Sequence, residues 1–505
     1  MNCPKCGFKS PMRAEHCYNC GEPLTRDFNV LAGSIQDDKA GERGEQVAGI
    51  LKVLLVLLVI ACAVLYAVND YFDIPLTYSP ALMPSVTSAG SVGLELPNLK
   101  QAGVEPNTSP TLPRSQLTGF GYRMDPIRSS LREANDGETP GAPTRARISG
   151  ALQYIGQQQV PDGSWSVQVF PKQYDQWRTG EWPAGKVGVT SLACLAYLGE
   201  GITWLPDAAG GKNAHAQRIQ KGIGWLMKQQ DANGHFGAVA EDKLNFVYNH
   251  ALATMAVLEA GALTGDEAIR FAAQRGLDVL IKSQNEKGGW DYFGKQGASV
   301  GNAYVSLWPL LALAEGIEAG YNVPEAALQK AHSYFRELTQ PDGRVLFGPG
   351  AADDGQFRIG LCGNALLVRG LLGEDPRSGT LTPLLNRVRG AMTPAKKEWG
   401  LGWMANRPNN DDDKRAFMDP LFLFSATHGM YCVGGADWEA WNTYIKTTLA
   451  DMQDTDGGWR MNDPFSKFGG TIYSTSLSIL TLQVYYRFPS AALRSRGPVG
   501  NGVGE

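Results

Sequence analysis

The sequence predicts a mainly α-helical protein in which six helical hairpins follow a small cysteine-containing module and one apolar helix. Three observations predict this organisation: four cysteines among the first 20 residues, an apolar run of 22 residues from Val47 to Val68, and a hairpin pattern that recurs from about residue 145. The chain has 505 residues, a formal charge of −4 and 43% hydrophobic residues. This charge balance argues against a dedicated nucleic-acid binder, and the apolar fraction excludes disorder of the whole chain.

The first module carries two Cys-x-x-Cys pairs, which are separated by ten residues and each followed by glycine. Four thiolates at this spacing are typical of a zinc ribbon, and a segment of about 24 residues has no apolar core to fold around without a metal. Two disulfides are the alternative, which requires an oxidising compartment. Because four sulfur ligands leave no open coordination position, we expect one structural Zn²⁺ and no catalysis there. The ligands are Cys3, Cys6, Cys17 and Cys20.

The apolar run Val47–Val68 predicts a transmembrane helix. It contains one charged residue, Lys52, and at about 1.5 Å per residue it spans the apolar core of a bilayer. A cleavable signal peptide is the alternative, but no small-residue cleavage site follows the run and a folded module precedes it. Basic residues lie on its N-terminal side, whereas Asp70 and Asp73 follow it. This bias places the zinc module in the cytoplasm and the hairpins outside, in a single-pass protein of the cytoplasmic membrane.

Composition divides the chain into six parts. Ten prolines fall between Ile74 and Pro143 without a helical or alternating pattern, which predicts a semi-rigid, mostly disordered spacer. Residues 119–126 of this spacer resemble the opening of a zinc-dependent cell-wall endopeptidase domain, but the His-x-His pair of such a site is missing, so we assign no such site. The parts are a zinc ribbon (1–24), a linker (25–46), the transmembrane helix (47–68), the spacer (69–143), the hairpin domain (144–489) and a disordered tail (490–505).

The hairpin pattern is a helix that ends in Gln, a three-residue turn and then Gly-x-Trp. The aromatic anchor positions 165, 236, 290, 345, 403 and 459 are 71, 54, 55, 58 and 56 residues apart, which leaves room for two helices and two loops in each unit. The segment before each turn has apolar residues at helical spacing and predicts an outer helix, whereas the nearly all-apolar segment after it predicts a buried inner helix. The copies at 345 and 403 are degenerate. The regular copies carry Gln159 and Trp165, Gln230 and Phe236, Gln284 and Trp290, and Gln453 and Trp459.

These hairpins resemble the QW repeats of the squalene and terpenoid cyclases, whose relatives include the protein prenyltransferase β subunits. The resemblance rests on Arg275-Gly-x-x-Val-Leu-x-x-x-Gln284-x-x-x-Gly288-x-Trp290 and covers roughly residues 145 to 489. The stretch from Asp437 to Arg460 is similar to the last repeat of bacterial membrane-anchored proteins with such repeats. The resemblance implies a closed (α/α)6 toroid in which the Gln caps a helix end and the Trp stacks on it. Periodicity alone leaves an open solenoid as the alternative.

The resemblance implies two chemistries, and the sequence lacks the motif of each. Class II cyclases protonate an alkene with Asp-x-Asp-Asp, whereas the nearest run here, residues 410–413, begins with Asn and is most simply a solvated loop. Asp412 in this run is the one candidate catalytic acid. Prenyltransferases hold a zinc ion with Asp, Cys and His, but Cys362 has glycine where that Asp belongs. Cys362, His250 and His428 fall on predicted inner helices, either as a metal site in the ring cavity or as separate polar residues within helix packing.

Two functions therefore remain open. The ring is either a binding or scaffold module for a lipid, peptide or protein ligand, or a lipid-modifying enzyme of the cyclase or prenyltransferase type with altered catalytic residues. Because neither motif set is intact, we expect the binding module. The expected partners are the membrane and an unidentified ligand of the ring, with no nucleic acid, and the expected cofactor is the structural Zn²⁺ of the ribbon.

Overall fold

The computed structural model describes Phe120, Arg123 and most of the hairpin domain, all within the unit Leu94–Glu505. The described ranges are 143–167, 185–206, 213–238, 245–294, 300–350, 359–375, 381–392, 419–461 and 463–487, together with residues 242, 378 and 379. The predicted zinc ribbon, linker, transmembrane helix and tail, most of the predicted spacer and the turn at Trp403 lie outside them. Within these ranges, no helix is both long enough and apolar enough to cross a membrane.

Thirteen helices occur in the described ranges, and they alternate between an outer and an inner layer. The prediction of six hairpins in a mainly helical protein is confirmed. The outer helices are α1 (Pro143–Gln157), α3 (Ala216–Lys228), α5 (Glu267–Ser283), α7 (Glu325–Leu338), α9 (Thr382–Gly390) and α11 (Gly435–Met452). The inner helices are α2 (Lys186–Gly199), α4 (Phe246–Thr264), α6 (Ala303–Glu318), α8 (Ile359–Leu371), α10 (Pro420–Val433) and α12 (Pro464–Leu482), and the last of them is followed by α13 (Val484–Arg487). The backbone of α12 leaves the helical conformation at Gly470, so α12 consists of two helical parts joined by a kink.

The six inner helices form a closed ring. Each packs on the next in chain order from α2 to α12, and α12 packs back on α2. The outer helices α3, α5 and α7 each pack between two successive inner helices, and α1 contacts α2, α11 and α12. The first and last repeats of an open solenoid would remain apart. The contacts between helices therefore establish the closed toroid that periodicity left undecided.

The two layers bury their residues as their compositions predict. Every residue of α10 is buried, whereas α3 buries one side only, at a spacing of three and four residues. In both layers, several helices begin at an N-cap residue. The side chain of that residue accepts hydrogen bonds from two backbone N–H groups in the first turn of the helix. These N-cap residues are Asp266 before α5, Asn302 before α6 and Asp419 before α10.

In four of the hairpins, the Gln-turn-Gly-x-Trp element links one outer helix to the next. Gln284 Nε2 donates to the carbonyl of Gly288 in its own turn and to that of Ala327 in α7, both at 2.9 Å. Trp290 is fully buried, and its Nε1 donates to the Leu280 carbonyl of α5 at 2.8 Å. The Gln side chain thus joins two outer helices, and the Trp fixes the turn to the helix before it. Equivalent bonds are made by the amides of Gln159, Gln230 and Gln453 and by the indoles of Trp165 and Trp459.

The turn requires glycine for two reasons: its backbone has a positive φ, and the next outer helix lies too close for a side chain. Gly288 has φ of 94°, which L side chains rarely adopt, and a Cβ there would lie 2.2 Å from the carbonyl oxygen of Lys330 in α7. The degenerate copy keeps this feature, because a Cβ at Gly343 would lie 2.5 Å from the carbonyl oxygen of Pro383 in α9. The glycine therefore sets how closely each turn approaches the next outer helix, even where the Gln contact is lost.

Residues from the two ends of the hairpin domain close the ring. Gln453 Nε2 donates to the Arg147 carbonyl of α1 at 3.0 Å, which extends the outer series from the last turn back to the first helix. Gln483 Nε2 donates to the Ala196 carbonyl of α2 at 2.8 Å, which does the same in the inner layer. Both layers are therefore continuous around the ring at this junction.

We expect Gln453→Ala to lower the free energy of unfolding by about 1–3 kcal/mol, because it removes the amide bonds that join the last turn to α1. Gln340→Ala is the matched control, since among the described residues its amide reaches only the Leu338 carbonyl, at 3.4 Å. For this control we expect a loss below about 1 kcal/mol. Urea unfolding of both variants measures the difference, and equal losses would contradict the closing role of Gln453.

Candidate functional site

The structure uses His250 to hold a turn of the repeat. Its Nδ1 accepts a hydrogen bond from the backbone N–H of Phe236 at 2.9 Å, and its Nε2 donates to the carbonyl of Gly276 in α5 at 3.1 Å. Burial lowers the pKa of His250 to about 4, so the ring is neutral at pH 7, with one donor and one acceptor nitrogen. Both nitrogens are engaged by the backbone of the framework.

Cys362 occupies the corresponding position in the fourth hairpin. Its thiol donates to the carbonyl of Gly343 in the degenerate turn at 3.6 Å. Burial raises the pKa of the thiol to about 12, so at neutral pH it is a neutral hydrogen-bond donor to the turn. In three other hairpins a hydroxyl at this position accepts from the N–H of the turn: Thr190, Ser306 and Thr475. His250 and Cys362 therefore belong to one series of side chains that bind the turns.

His428 lies on α10. Its Nδ1 donates to the Phe424 carbonyl at 2.8 Å, and the two ring centroids are 4.5 Å apart. Burial lowers the pKa of His428 to about 3. The part of the chain that the structure describes contains no group of three or more His, Cys, Asp or Glu side chains that could hold a metal ion, so His250, Cys362 and His428 do not form one there. Asp412 and the four ribbon cysteines lie outside the described residues.

A different set of polar side chains meets at the end of the ring where the inner helices begin. Asp419 and Asp463 are both buried and stand directly before the first residues of α10 and α12. Asp463 Oδ1 accepts from the backbone N–H of Ser466 at 3.1 Å. Asp419 Oδ1 accepts from the N–H groups of Leu421 at 2.8 Å and Phe422 at 3.2 Å. One oxygen of Asp419 is therefore committed to its helix, and the second is directed elsewhere.

This second oxygen of Asp419 approaches Tyr304 beside α8. A Cβ built on Gly360 would lie 3.0 Å from Tyr304 Oη and 3.2 Å from Asp419 Oδ2, so both oxygens face the same point. Asn364 follows one turn later on the same face of α8, and helical side chains lean toward the preceding turn. Asn364 is fully buried, and neither atom of its amide has a hydrogen-bond partner among the described residues. A carboxyl and a phenol therefore meet beside Gly360, and a buried amide without a partner stands one helical turn further along α8.

Three further tyrosines line the same place. Tyr248 and Tyr473 are partly accessible to solvent, yet burial raises the pKa of both hydroxyls well above the usual value. The third tyrosine, Tyr292, lies beside Tyr248, with 6.2 Å between the two ring centroids. The carboxyls of Asp419 and Asp463 add to the shift of Tyr473, which places it beside them. We call this set the acid–tyrosine recess: Tyr248, Tyr292, Tyr304, Asn364, Asp419, Asp463 and Tyr473.

The electrostatics of the recess centre on Asp419. Burial raises the pKa of Asp419 to about 7, the nearby Asp463 adds to the shift, and the two backbone N–H bonds oppose it without outweighing it. A carboxyl group with this pKa is present in both protonation states at neutral pH. It can therefore donate or accept a hydrogen bond, and it can transfer a proton.

No family model matches the chain. The type II terpene cyclase MstE from Scytonema is similar, with 12% identity, a TM-score of 0.39, and 69% of this chain and 97% of that chain covered. An α-1,6-mannanase of Salegentibacter sp. HEL1_6 has 11% identity and a TM-score of 0.45 over 69% of this chain and 99% of its own. An α-amylase from Clostridium perfringens has 13% identity and a TM-score of 0.45, with 67% and 97% covered. Similarities this low transfer no activity or residue role to this chain.

Sequence reasoning missed the acid pair for an identifiable reason. Asp419 and Asp463 are each followed by proline, and Asp-Pro is typical of a helix N-cap and first helical residue. The pattern therefore indicates a helix start and nothing more. The available signal is that, of the six inner helices, α10 and α12 alone begin at an Asp-Pro pair. This signal does not show that the two aspartates are close, because α12 is interrupted at Gly470 after the part that Asp463 precedes.

We expect Asp419→Asn to remove a pH dependence of stability. The unfolded chain loses the Asp419 proton near the usual pKa of 3.8, whereas burial raises the pKa in the folded protein to about 7. Between these values the folded state binds more protons, so the free energy of unfolding falls as pH rises, by up to about 1.4 kcal/mol per pH unit, and then levels off. The variant keeps an acceptor for both N–H bonds.

Urea unfolding at pH 4 and pH 8 tests this. We expect Asp419→Asn to be close to the wild type at pH 4 and more stable than it at pH 8. Parallel pH profiles of the two proteins would contradict the raised pKa of Asp419.

Proposed function

We propose that the ring is a ligand-binding module that a single-pass anchor displays outside the cytoplasm of a bacterial cell. The observation that carries this proposal is the fully buried Asn364 amide, which has no hydrogen-bond partner among the described residues and shares a helix face with Gly360, where Asp419 and Tyr304 meet. An unpaired buried polar group costs free energy that a bound ligand can restore. Hydrogen-bonding groups between aromatic walls suit a lipid or peptide with polar and apolar parts.

A lipid-modifying enzyme is the second candidate, and one observation favours it. Burial raises the pKa of Asp419 to about 7, and general acid catalysis needs a group that is still protonated at the working pH. Against it, the sequence has neither the Asp-x-Asp-Asp motif of the cyclases nor the Asp, Cys and His set of the prenyltransferases.

Turnover assays separate the two candidates. Purified full-length protein is incubated with squalene and with farnesyl diphosphate, and the lipid products are analysed. We expect no product. A saturable rise in melting temperature with either lipid, abolished by Asn364→Leu, would support the binding module. A product that forms with the wild type and not with Asp419→Asn would contradict the binding module and make Asp419 the catalytic acid. Loss of the product with Asp412→Asn would instead identify Asp412 as the acid.

The proposed topology follows from the charges around Val47–Val68. Protease protection in intact cells is expected to find the ribbon shielded and the ring accessible from outside. The opposite orientation would give the ring access to soluble prenyl diphosphates and would favour the enzyme.

The structural zinc also remains a prediction, supported by the spacing of the four ribbon cysteines. Metal analysis of the full chain is expected to give about one equivalent, which Cys17→Ser abolishes because it removes one of four thiolate ligands. Cys194→Ala is the matched control, since Cys194 is a buried free thiol of the ring. Zinc retained in Cys17→Ser, or lost in the control, would contradict the assignment.

A further inference from the structure

The opposite end of the ring, where the inner helices end, encloses a cluster of ions. Glu259 belongs to α4, Glu315 to α6 and Arg487 to α13, and all three are buried. Arg487 Nη1 lies 2.7 Å from Glu259 Oε1 and 3.5 Å from Glu315 Oε1. Arg487 Nη2 donates to the Leu195 carbonyl of α2 at 2.9 Å. Four elements of the ring therefore contribute to this cluster.

A fourth charge comes from the segment that precedes the ring. Arg123 is fully buried, forms an ion pair with Glu259 and has its Nη2 3.8 Å from Glu315 Oε1. Phe120 is fully buried as well, and the guanidinium carbon of Arg123 lies 4.1 Å from the centroid of its ring. A planar guanidinium binds well between carboxylates and an aromatic face. The segment thus inserts one arginine into the ring.

The backbone of this segment indicates that the ring imposes its conformation. Phe120 has φ of 65°, and it is the one non-glycine residue with a positive φ in the described part of the chain. The N–H of Arg123 donates to the Phe120 carbonyl at 2.9 Å, which closes a tight turn. A bulky residue holds this conformation only where its surroundings enforce it. Release from the ring would therefore relax the turn.

The two carboxyls of the cluster differ in their electrostatics. Although burial opposes ionisation, Arg123 and Arg487 hold the pKa of Glu259 below its usual value. Burial raises the pKa of Glu315 well above its usual value, and the Glu259 carboxylate adds to this shift. Arg487 pairs with Glu259 from within the ring, so the removal of Arg123 leaves that carboxylate with a cationic partner.

We propose that this end of the ring is a guanidinium-binding socket, formed by Glu259, Glu315 and Arg487, and that its ligand is Arg123 of the same chain. When Arg123 is docked, it latches the segment after the predicted transmembrane helix onto the ring. When Arg123 is absent, the socket accepts the same segment supplied as a separate peptide.

Peptide binding to the full-length protein tests the socket. The probe is a fluorescein-labelled peptide of residues 117–126, and binding is followed by anisotropy at pH 7. We expect Arg123→Ala to bind it with a Kd at least about tenfold lower than that of the wild type, whose own Arg123 fills the socket. The same peptide with its arginine replaced by alanine is expected not to bind.

Two further variants complete the test. Arg275→Ala removes an exposed arginine that donates to the carbonyls of Asp231 and Ala232, and it is expected to behave like the wild type. Arg123→Lys keeps a cation in the socket, so it carries the test if Arg123→Ala fails to fold, and its Kd is expected to lie below that of the wild type. Equal peptide affinities for the wild type and the Arg123 variants, or binding that does not need the peptide arginine, would overturn the proposal.

Discussion

Glu259→Gln is expected to lower the free energy of unfolding by about 3–5 kcal/mol, because it leaves two buried guanidinium groups without the carboxylate that pairs with both. Arg123 and Arg487 each form an ion pair with this one carboxylate, and all three side chains are buried. The measurement is urea unfolding at pH 7, followed by circular dichroism.

Glu315→Gln is the matched control. Glu315 Oε1 lies 3.5 Å from Arg487 Nη1 and 3.8 Å from Arg123 Nη2, farther than the paired oxygens of Glu259, and burial raises the pKa of Glu315 well above its usual value, which favours its neutral form. We expect a change within about 1 kcal/mol. Similar losses in the two variants would contradict the inference that Glu259 is the carboxylate on which both guanidinium groups depend.

Trp459→Ala is the second change with a large expected effect, a loss of about 3–5 kcal/mol, since it leaves a cavity beside the junction that closes the ring. Trp459 is fully buried, its Nε1 donates to the Leu449 carbonyl at 2.8 Å, and its backbone N–H donates to Thr475 Oγ1 at 3.0 Å. Thermal and urea unfolding measure the loss.

Trp459→Phe provides the control, because the second hairpin already holds Phe236, fully buried, at the equivalent position. This change keeps most of the buried ring and removes the indole N–H bond, so we expect a loss of about 1–2 kcal/mol. A Trp459→Ala variant as stable as Trp459→Phe would mean that the volume of the side chain does not hold the turn in place.

The hairpins were predictable because their signal is local and repeated. The Gln-turn-Gly element recurs at nearly constant spacing, and the apolar pattern separates the outer from the inner helices. Closure of the ring was implied by the family resemblance alone. The packing of α12 on α2 joins distant parts of the chain, so no local sequence pattern predicts it. The contacts of the Gln side chains with neighbouring helices could not be predicted either. Their amides donate to backbone carbonyls, and every residue has such a carbonyl.

The recess and the socket could not be predicted for a related reason. Arg123 is one arginine in a proline-rich stretch, and its partner Glu259 lies on an inner helix that reads as uniformly apolar. Conversely, His250 and Cys362 suggested a metal site only while each residue was considered by itself. When the repeats are aligned on their turns, both stand where other hairpins have Thr or Ser, which indicates a hydrogen-bonding role in the framework.

The bonds that close the ring have a consequence for how the chain is made. Gln453 and Arg147 lie 306 residues apart, and Arg487 and Leu195 lie 292 apart. A growing chain exposes the apolar flank of α2 from the time its first hairpin emerges until α12 arrives to cover it. Pairing over such distances is slow, and exposed apolar surface promotes aggregation. Completion of the fold must therefore await the last residues of the domain, and a chain that stops before α12 is a target for proteases rather than a smaller ring.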